Sequence, residues 1–435
     1  MKKVTTRSFI ALLLAAAIVV GLGVYVARLA KNGGDWAAFY ANDSVYTDGT
    51  LNSGTVLDRN GMLLASAGQN FTYADSYDVR VSCLHAVGDT SGNIGTGAIN
   101  AFRSKLVNYS FITGTTRGGG TVQLSIDADL NVTAYNALAG RSGTVLVYNY
   151  ETGQIVCMVS SPSYDPAVGF DEENSTAEGV YINRALSSTF VPGSVFKLVT
   201  LAAAIENIPD LFSQTFYCDG TVTVGDQTVT CSGVHGNISI YDALADSCNC
   251  AFAELAMQLG GDVIAEYAEQ YGLTESHSLN GIETAAGSVT SGGGANADTA
   301  WEGIGQYEDM INPYAMLRLI GAIANGGTVV EPSLLYNTSN GRTQLMKATT
   351  ANTIAEMMGY NVTANYGSGS YPGLDMHAKT GTAEFGDGTS HAWFAGFITN
   401  TGYPYAFVVM VEKAGSGYSI ASPIANAVLQ QAVFG

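Results

Sequence analysis

Three short motifs constrain this chain more than anything else in it. They are Ser194-Val195-Phe196-Lys197, then Ser247-Cys248-Asn249, then Lys379-Thr380-Gly381-Thr382. Each has a bland reading. Ser-x-x-Lys can be a helix start with a snorkelling lysine, Ser-x-Asn a helix-capping pair, and Lys-Thr-Gly a strand running into a turn. In this order they say more: they can work together only if the fold docks a helix start, a break between helices and a strand at one cleft.

The residue types suit nucleophilic catalysis. A serine hydroxyl is a poor nucleophile near neutral pH and needs an adjacent base. Pro192-Gly193 precede Ser194, and an apolar run from Val195 to Ala203 follows, which reads as a turn opening a buried helix. Positions three apart share a helix face, so Lys197 falls on the side of Ser194. Lysine is a base only when neutral; burial and a second cation both lower its pKa, and Lys379 supplies the second cation. Ser247, Cys248 and Asn249 interrupt a helical apolar pattern (Ile240, Ala243, Leu244, then Phe252, Leu255, Ala256). Around the third motif, Asp375–Phe385, His391–Ile398 and Tyr405–Glu412 read as an antiparallel meander, with Gly386-Asp387-Gly388 as its first turn. On such a strand Gly381 leaves room for a substrate backbone, and Lys379 and Thr380 suit a carboxylate.

In combination the three motifs resemble the signature of penicillin-binding proteins and serine β-lactamases. Further blocks are similar to class B penicillin-binding proteins: Asn183–Leu186 leading into Phe190-Val191-Pro192-Gly193, Ser161–Pro166, Gly303-Ile304-Gly305-Gln306 followed by Tyr307, and Leu57-Asp58-Arg59-Asn60-Gly61 near the amino end. The resemblance implies Ser194 as nucleophile, Lys197 as base, Ser247 as proton relay to the leaving amine and Asn249 as a holder of the substrate amide. It implies a carboxylate clamp at Lys379 and Thr380, and an oxyanion hole from the N–H groups of Ser194 and Thr382.

The amino terminus points to a membrane. Phe9 to Ala27 carries no charge over 19 residues, long enough to span a bilayer. Lys2, Lys3 and Arg7 precede it, which keeps the first residues cytoplasmic and exports the rest; a cleaved signal peptide is the competing reading. Net charge is −19, with 18 basic against 37 acidic residues, which argues against nucleic acid. There is no nucleotide-binding or His-Glu-x-x-His motif and only 5 histidines, so neither a cofactor nor a metal is expected.

The expected organisation is a cytoplasmic tail (1–8), a transmembrane anchor (9–30), a juxtamembrane segment (31–50), a small β-rich non-catalytic module (51–120) and a transpeptidase domain (121–435), with Arg117–Gly120 as hinge. The expected fold is α+β, an antiparallel sheet between helix layers. Cys218 and Cys231 flank a hairpin pattern around Gly225-Asp226, so a disulfide between them is one reading and two free thiols the other. Cys248 and Cys250 read as small packing residues.

The function this implies is a peptidoglycan D,D-transpeptidase, acylated on Ser194 by stem peptides and by β-lactam antibiotics, with a polytopic glycosyltransferase in the membrane as partner. A D,D-carboxypeptidase, a β-lactamase or a β-lactam-sensing domain uses a similar signature and stays open.

Overall fold

A computed structural model describes the chain except residues 1, 40, 41, 43, 44, 48, 49, 68–70, 111, 116, 117, 174, 175, 291, 292 and 307. Arg117 and Tyr307 of the sequence reading therefore lie outside the described residues. Helix α1, Lys2–Ala37, has 36 residues, about 54 Å at 1.5 Å per residue. Its apolar side chains point outward all round, Leu12 and Ile18 among them. It is the one helix among the described residues long and apolar enough to cross a membrane. It also runs past residue 30, into the stretch expected to be juxtamembrane. The reason is a docking contact. Gly33 comes so close to Tyr109 that a Cβ there would sit 2.7 Å from the ring, and Ala38 is fully buried.

The segment after α1 is β-rich as expected, and it also carries helices. Its four-stranded sheet has the order Phe71–Tyr73, Leu63–Ala67, Thr55–Leu57, Thr121–Gln123. Between two of these strands runs a helix, Tyr77–Val87, capped by Ser76, where the sequence reads as short β-like runs and turns. Thr121–Gln123 lies on the far side of the expected boundary, yet it pairs in parallel with Thr55–Leu57. The glycines before it are packed: Gly120 N–H donates to the Leu106 carbonyl at 2.7 Å.

The rest is built on five antiparallel strands: β1 Gly143–Asn149, β2 Ile155–Ser161, β3 Met376–Glu384, β4 Ser390–Ile398 and β5 Tyr405–Val411, in the order β2-β1-β5-β4-β3. The expected meander β3-β4-β5 is present, and β1 and β2 form a second hairpin through Glu151–Gly153. Side chains alternate between faces with period two. Val145, Val147, Val409 and Phe394 pack with Leu130 and Leu138 of α2 (Ala128–Leu138) and with Val428 of the carboxy-terminal helix Ser422–Phe434. Leu146, Tyr148, Val408 and Met410 face the opposite layer, which holds α3 (Lys197–Asn207), α4 (Asn249–Leu259) and α5 (Pro313–Ala324). Both faces are covered, so the central strands are apolar almost throughout, and the fold is α+β as expected. The hydrogen-bonding edge of β3 is left beside the turn Gly193–Val195, and this is where the three motifs meet.

Candidate active site

The first motif sits on a single turn of 3-10 helix, Gly193–Val195, that feeds into α3. Gly193 has φ +55°, and a Cβ on it would lie 2.6 Å from the Thr382 carbonyl; no other residue fits that combination. Its N–H donates to the Gly305 carbonyl at 2.8 Å, and the Trp393 indole donates to the Val191 carbonyl at 2.9 Å. The serine turn is thus seated on β3 and β4. Gly381 completes the seat: a Cβ there would come within 2.8 Å of the Pro192 carbonyl and 3.1 Å of Val195. Its missing side chain makes room for the serine turn, rather than for a substrate backbone as the sequence suggested.

Ser194 is half-buried at the floor of a cleft of about 410 Å³, with Ser247, Asn249, Thr380 and Thr382 on its walls. Lys197 and Lys379 lie beneath, both fully buried. Lys197 Nζ donates to the Ser247 carbonyl and to Asn249 Oδ1, each at 2.6 Å, and approaches Ser247 Oγ at 3.3 Å. Lys379 Nζ donates to Ser247 Oγ at 2.8 Å and to the Thr380 carbonyl at 3.0 Å. Among the described residues, the Ser194 hydroxyl has no hydrogen-bond partner; Lys197 spends its bonds on the second motif.

Burial lowers Lys197 to about 8, against the opposing pull of Cys231, Cys248 and Cys250. Burial also takes Lys379 well below the usual lysine range, and the charge of Lys197 adds to that. Two ammonium groups around one hydroxyl, out of water, favour loss of a proton from the pair.

Ser247 stands at φ +55°, between helix Ile240–Ala245 and α4. This left-handed residue turns its carbonyl and its hydroxyl toward the lysines. Asn249 is held from the other side, its Nδ2 donating to the Thr230 carbonyl at 2.8 Å.

On β3, Thr380 N–H points away from β4 and donates to Tyr366 Oη at 3.1 Å. Thr382, two residues on, directs its N–H to the same free edge, and its carbonyl accepts from Gln306 Nε2 at 3.3 Å.

A family model, "Penicillin binding protein transpeptidase domain", matches residues 143–430, about two thirds of the 435 residues. The chain belongs to the penicillin-binding protein transpeptidase family. Peptidoglycan D,D-transpeptidase PbpA of Mycolicibacterium smegmatis is 27% identical over 369 residues, 74% of either chain. Penicillin-binding protein A of M. tuberculosis, solved as a ceftriaxone acyl-enzyme, superposes with TM-score 0.77 at 25% identity, covering 88% of this chain and 98% of that one. The D,D-transpeptidase domain from Eggerthella lenta gives 0.76 at 25% identity, over 88% and 98%.

In this penicillin-binding transpeptidase the cleft also holds a residue that the sequence reading did not single out. Tyr366 was missed, although it is buried and its Oη also meets Thr380 Oγ1 at 3.2 Å. It ends a π-helical turn, Val362–Tyr366, that follows the helix Ala348–Asn361, with no motif to flag it. Of the two readings left open for Cys218 and Cys231, the structure takes the free thiols. The hairpin exists, pairing Thr221–Val224 with Gln227–Thr230, but Cys218 belongs to a different ribbon, opposite Gly236. Cys231 Sγ lies instead 3.8 Å from Cys248 Sγ.

Proposed function

We propose that this chain is a membrane-anchored peptidoglycan D,D-transpeptidase that is also acylated by β-lactams. The observation that carries this reading is the meeting of Lys197 and Lys379 on Ser247 Oγ, in the cleft that Ser194 also lines. Ser194 Oγ attacks the carbonyl of the penultimate D-alanine of a stem peptide and its proton passes to neutral Lys197. Lys197 turns from Asn249 to Ser194 as substrate arrives, a tightening often reserved for the Michaelis complex. Ser247 then relays a proton to the departing D-alanine amine. The N–H groups of Ser194 and Thr382 receive the developing oxyanion; donors of this kind are worth about 3–4 kcal/mol each. The substrate carboxylate settles at Thr380 and Lys379, restoring the charge of Lys379 and thereby holding Lys197 neutral. An amine of a neighbouring stem peptide attacks the acyl-enzyme and completes the cross-link.

The α1 helix, with Lys2, Lys3 and Arg7 ahead of its apolar stretch, supports a single-pass anchor with the catalytic part outside the cytoplasm. Glycan polymerisation then falls to a polytopic glycosyltransferase meeting α1 within the membrane.

The test is to label the full chain with a β-lactam, map the adduct, then supply a donor stem peptide with and without an acceptor amine. The adduct is expected on Ser194, and a cross-linked product with the acceptor. Hydrolysis alone, with acceptor present, makes the enzyme a carboxypeptidase; rapid turnover of the β-lactam makes it a β-lactamase.

A further inference from the structure

Four soft ligand atoms meet behind the Ser247 turn. The Sγ atoms of Cys218, Cys231 and Cys248 and a ring nitrogen of His235 all lie within 4.8 Å of one another. They come from separate pieces of chain: the end of strand Phe216–Cys218, the residue after strand Gln227–Thr230, the loop before Gly236–Ile238, and the N-cap of α4. A tetrahedral zinc with bonds of about 2.3 Å to sulfur and 2.0–2.1 Å to nitrogen sets S···S near 3.8 Å and S···N near 3.6 Å. Cys231 Sγ is 3.8 Å from Cys248 Sγ and 3.6 Å from His235 Nδ1. Backbone N–H groups point at two of the sulfurs, Asn249 at Cys231 (3.2 Å) and Ala251 at Cys248 (3.5 Å), as they do around metal-bound thiolates.

We propose that Cys218, Cys231, His235 and Cys248 bind a zinc-class divalent cation in a closed tetrahedral site, and that the ion clamps the Ser247–Asn249 turn to the hairpin beside it. This replaces the sequence expectation of no metal. With four protein ligands the ion has no open position, so its role is structural rather than Lewis-acidic. Cys248 lies between the two residues that hold Lys197, and Ser247 keeps a left-handed backbone. A bond from Cys248 to an ion anchored on Cys218, Cys231 and His235 fixes both neighbours at once, which makes the four ligands positioning residues for the lysine pair.

The experiment uses the detergent-solubilised full chain, purified under reducing conditions, with zinc as the probe. One zinc per chain is expected, lowered in Cys231→Ser, Cys248→Ser and His235→Ala and retained in Cys83→Ser. Cobalt in its place should show thiolate-to-cobalt charge-transfer absorption, lost in Cys218→Ser. His235→Cys, which removes the imidazole and keeps a soft ligand, should retain both the ion and β-lactam acylation. Stripping the zinc should slow acylation on the order of 10²-fold, the cost of an ångström-scale misplacement, and re-addition should restore it. Metal content is read independently of Ser194 chemistry, so failure of the transpeptidase reading leaves this arm intact. A folded chain that takes up no zinc, or a disulfide among the three cysteines, overturns the site. An acylation rate indifferent to stripping overturns the clamp.

Discussion

Lys197 and Lys379 converge on one hydroxyl, their Nζ atoms 3.3 and 2.8 Å from Ser247 Oγ, and neither side chain reaches solvent. Acylation chemistry needs one neutral amine and one cation. The geometry supplies both from a pair that burial already drives to give up a proton.

The pH profile follows from that pair. Burial lowers Lys197 from 10.5 to about 8, so its proton-accepting form grows as pH rises toward 8 and is dominant above it. Second-order β-lactam acylation should rise roughly tenfold per pH unit below about 8 and then level off. Stopped-flow acylation across this interval is the measurement, and a flat profile would remove Lys197 as the base.

Lys197→Arg should acylate about 10²–10⁴-fold more slowly than the native chain, the contribution of a positioned base. Guanidinium stays protonated, and Lys197 is fully buried, so the larger head group has to displace its neighbours. Near-native labelling kinetics in this variant are the outcome that the mechanism forbids.

Ser247→Gly separates stability from activity. Glycine adopts φ +55° without strain, whereas serine there costs on the order of 1 kcal/mol. The variant should unfold no more easily than the native chain, yet lose the hydroxyl shared by both lysines and acylate at least ~10-fold more slowly. Chemical denaturation alongside a labelling time course tests both halves.

Gly381→Ala should cost about 1–3 kcal/mol of stability through overpacking, because its Cβ meets the Pro192 carbonyl at 2.8 Å and the Trp393 Cβ at 3.0 Å. The same clash displaces the serine turn, so acylation should fall with stability. A stable variant with native acylation would show that the turn is not seated on Gly381.

Thr380→Val removes the hydroxyl proposed to meet the substrate carboxylate and should slow acylation about 10–100-fold, as expected for ~1.5–3 kcal/mol in a bond to a charged group. An analogue with that carboxylate amidated should react slowly with the native enzyme and lose little more in the variant. Fully additive losses would mean that hydroxyl and carboxylate do not meet.

What the sequence determined by itself was local or chemical. The charge-free run of α1, the apolar strands and first turn of the β3-β4-β5 meander, and the three ordered motifs are each readable within a few residues. The α+β class follows, since strands apolar on both faces need helix layers on both sides. Tertiary structure decided what depends on two distant segments touching. It matched Thr121–Gln123 to Thr55–Leu57 across the expected boundary. It gave Gly381 to the serine turn, brought Tyr366 onto Thr380, and aimed Lys197 at Ser247 and Asn249. It also drew Cys218, Cys231 and Cys248 together around His235. Residue spacing encodes which face of a helix or strand a side chain occupies, but not which other face packs against it. That choice is made by long-range packing, and in this chain the lysine pair and the cysteine cluster are both products of it.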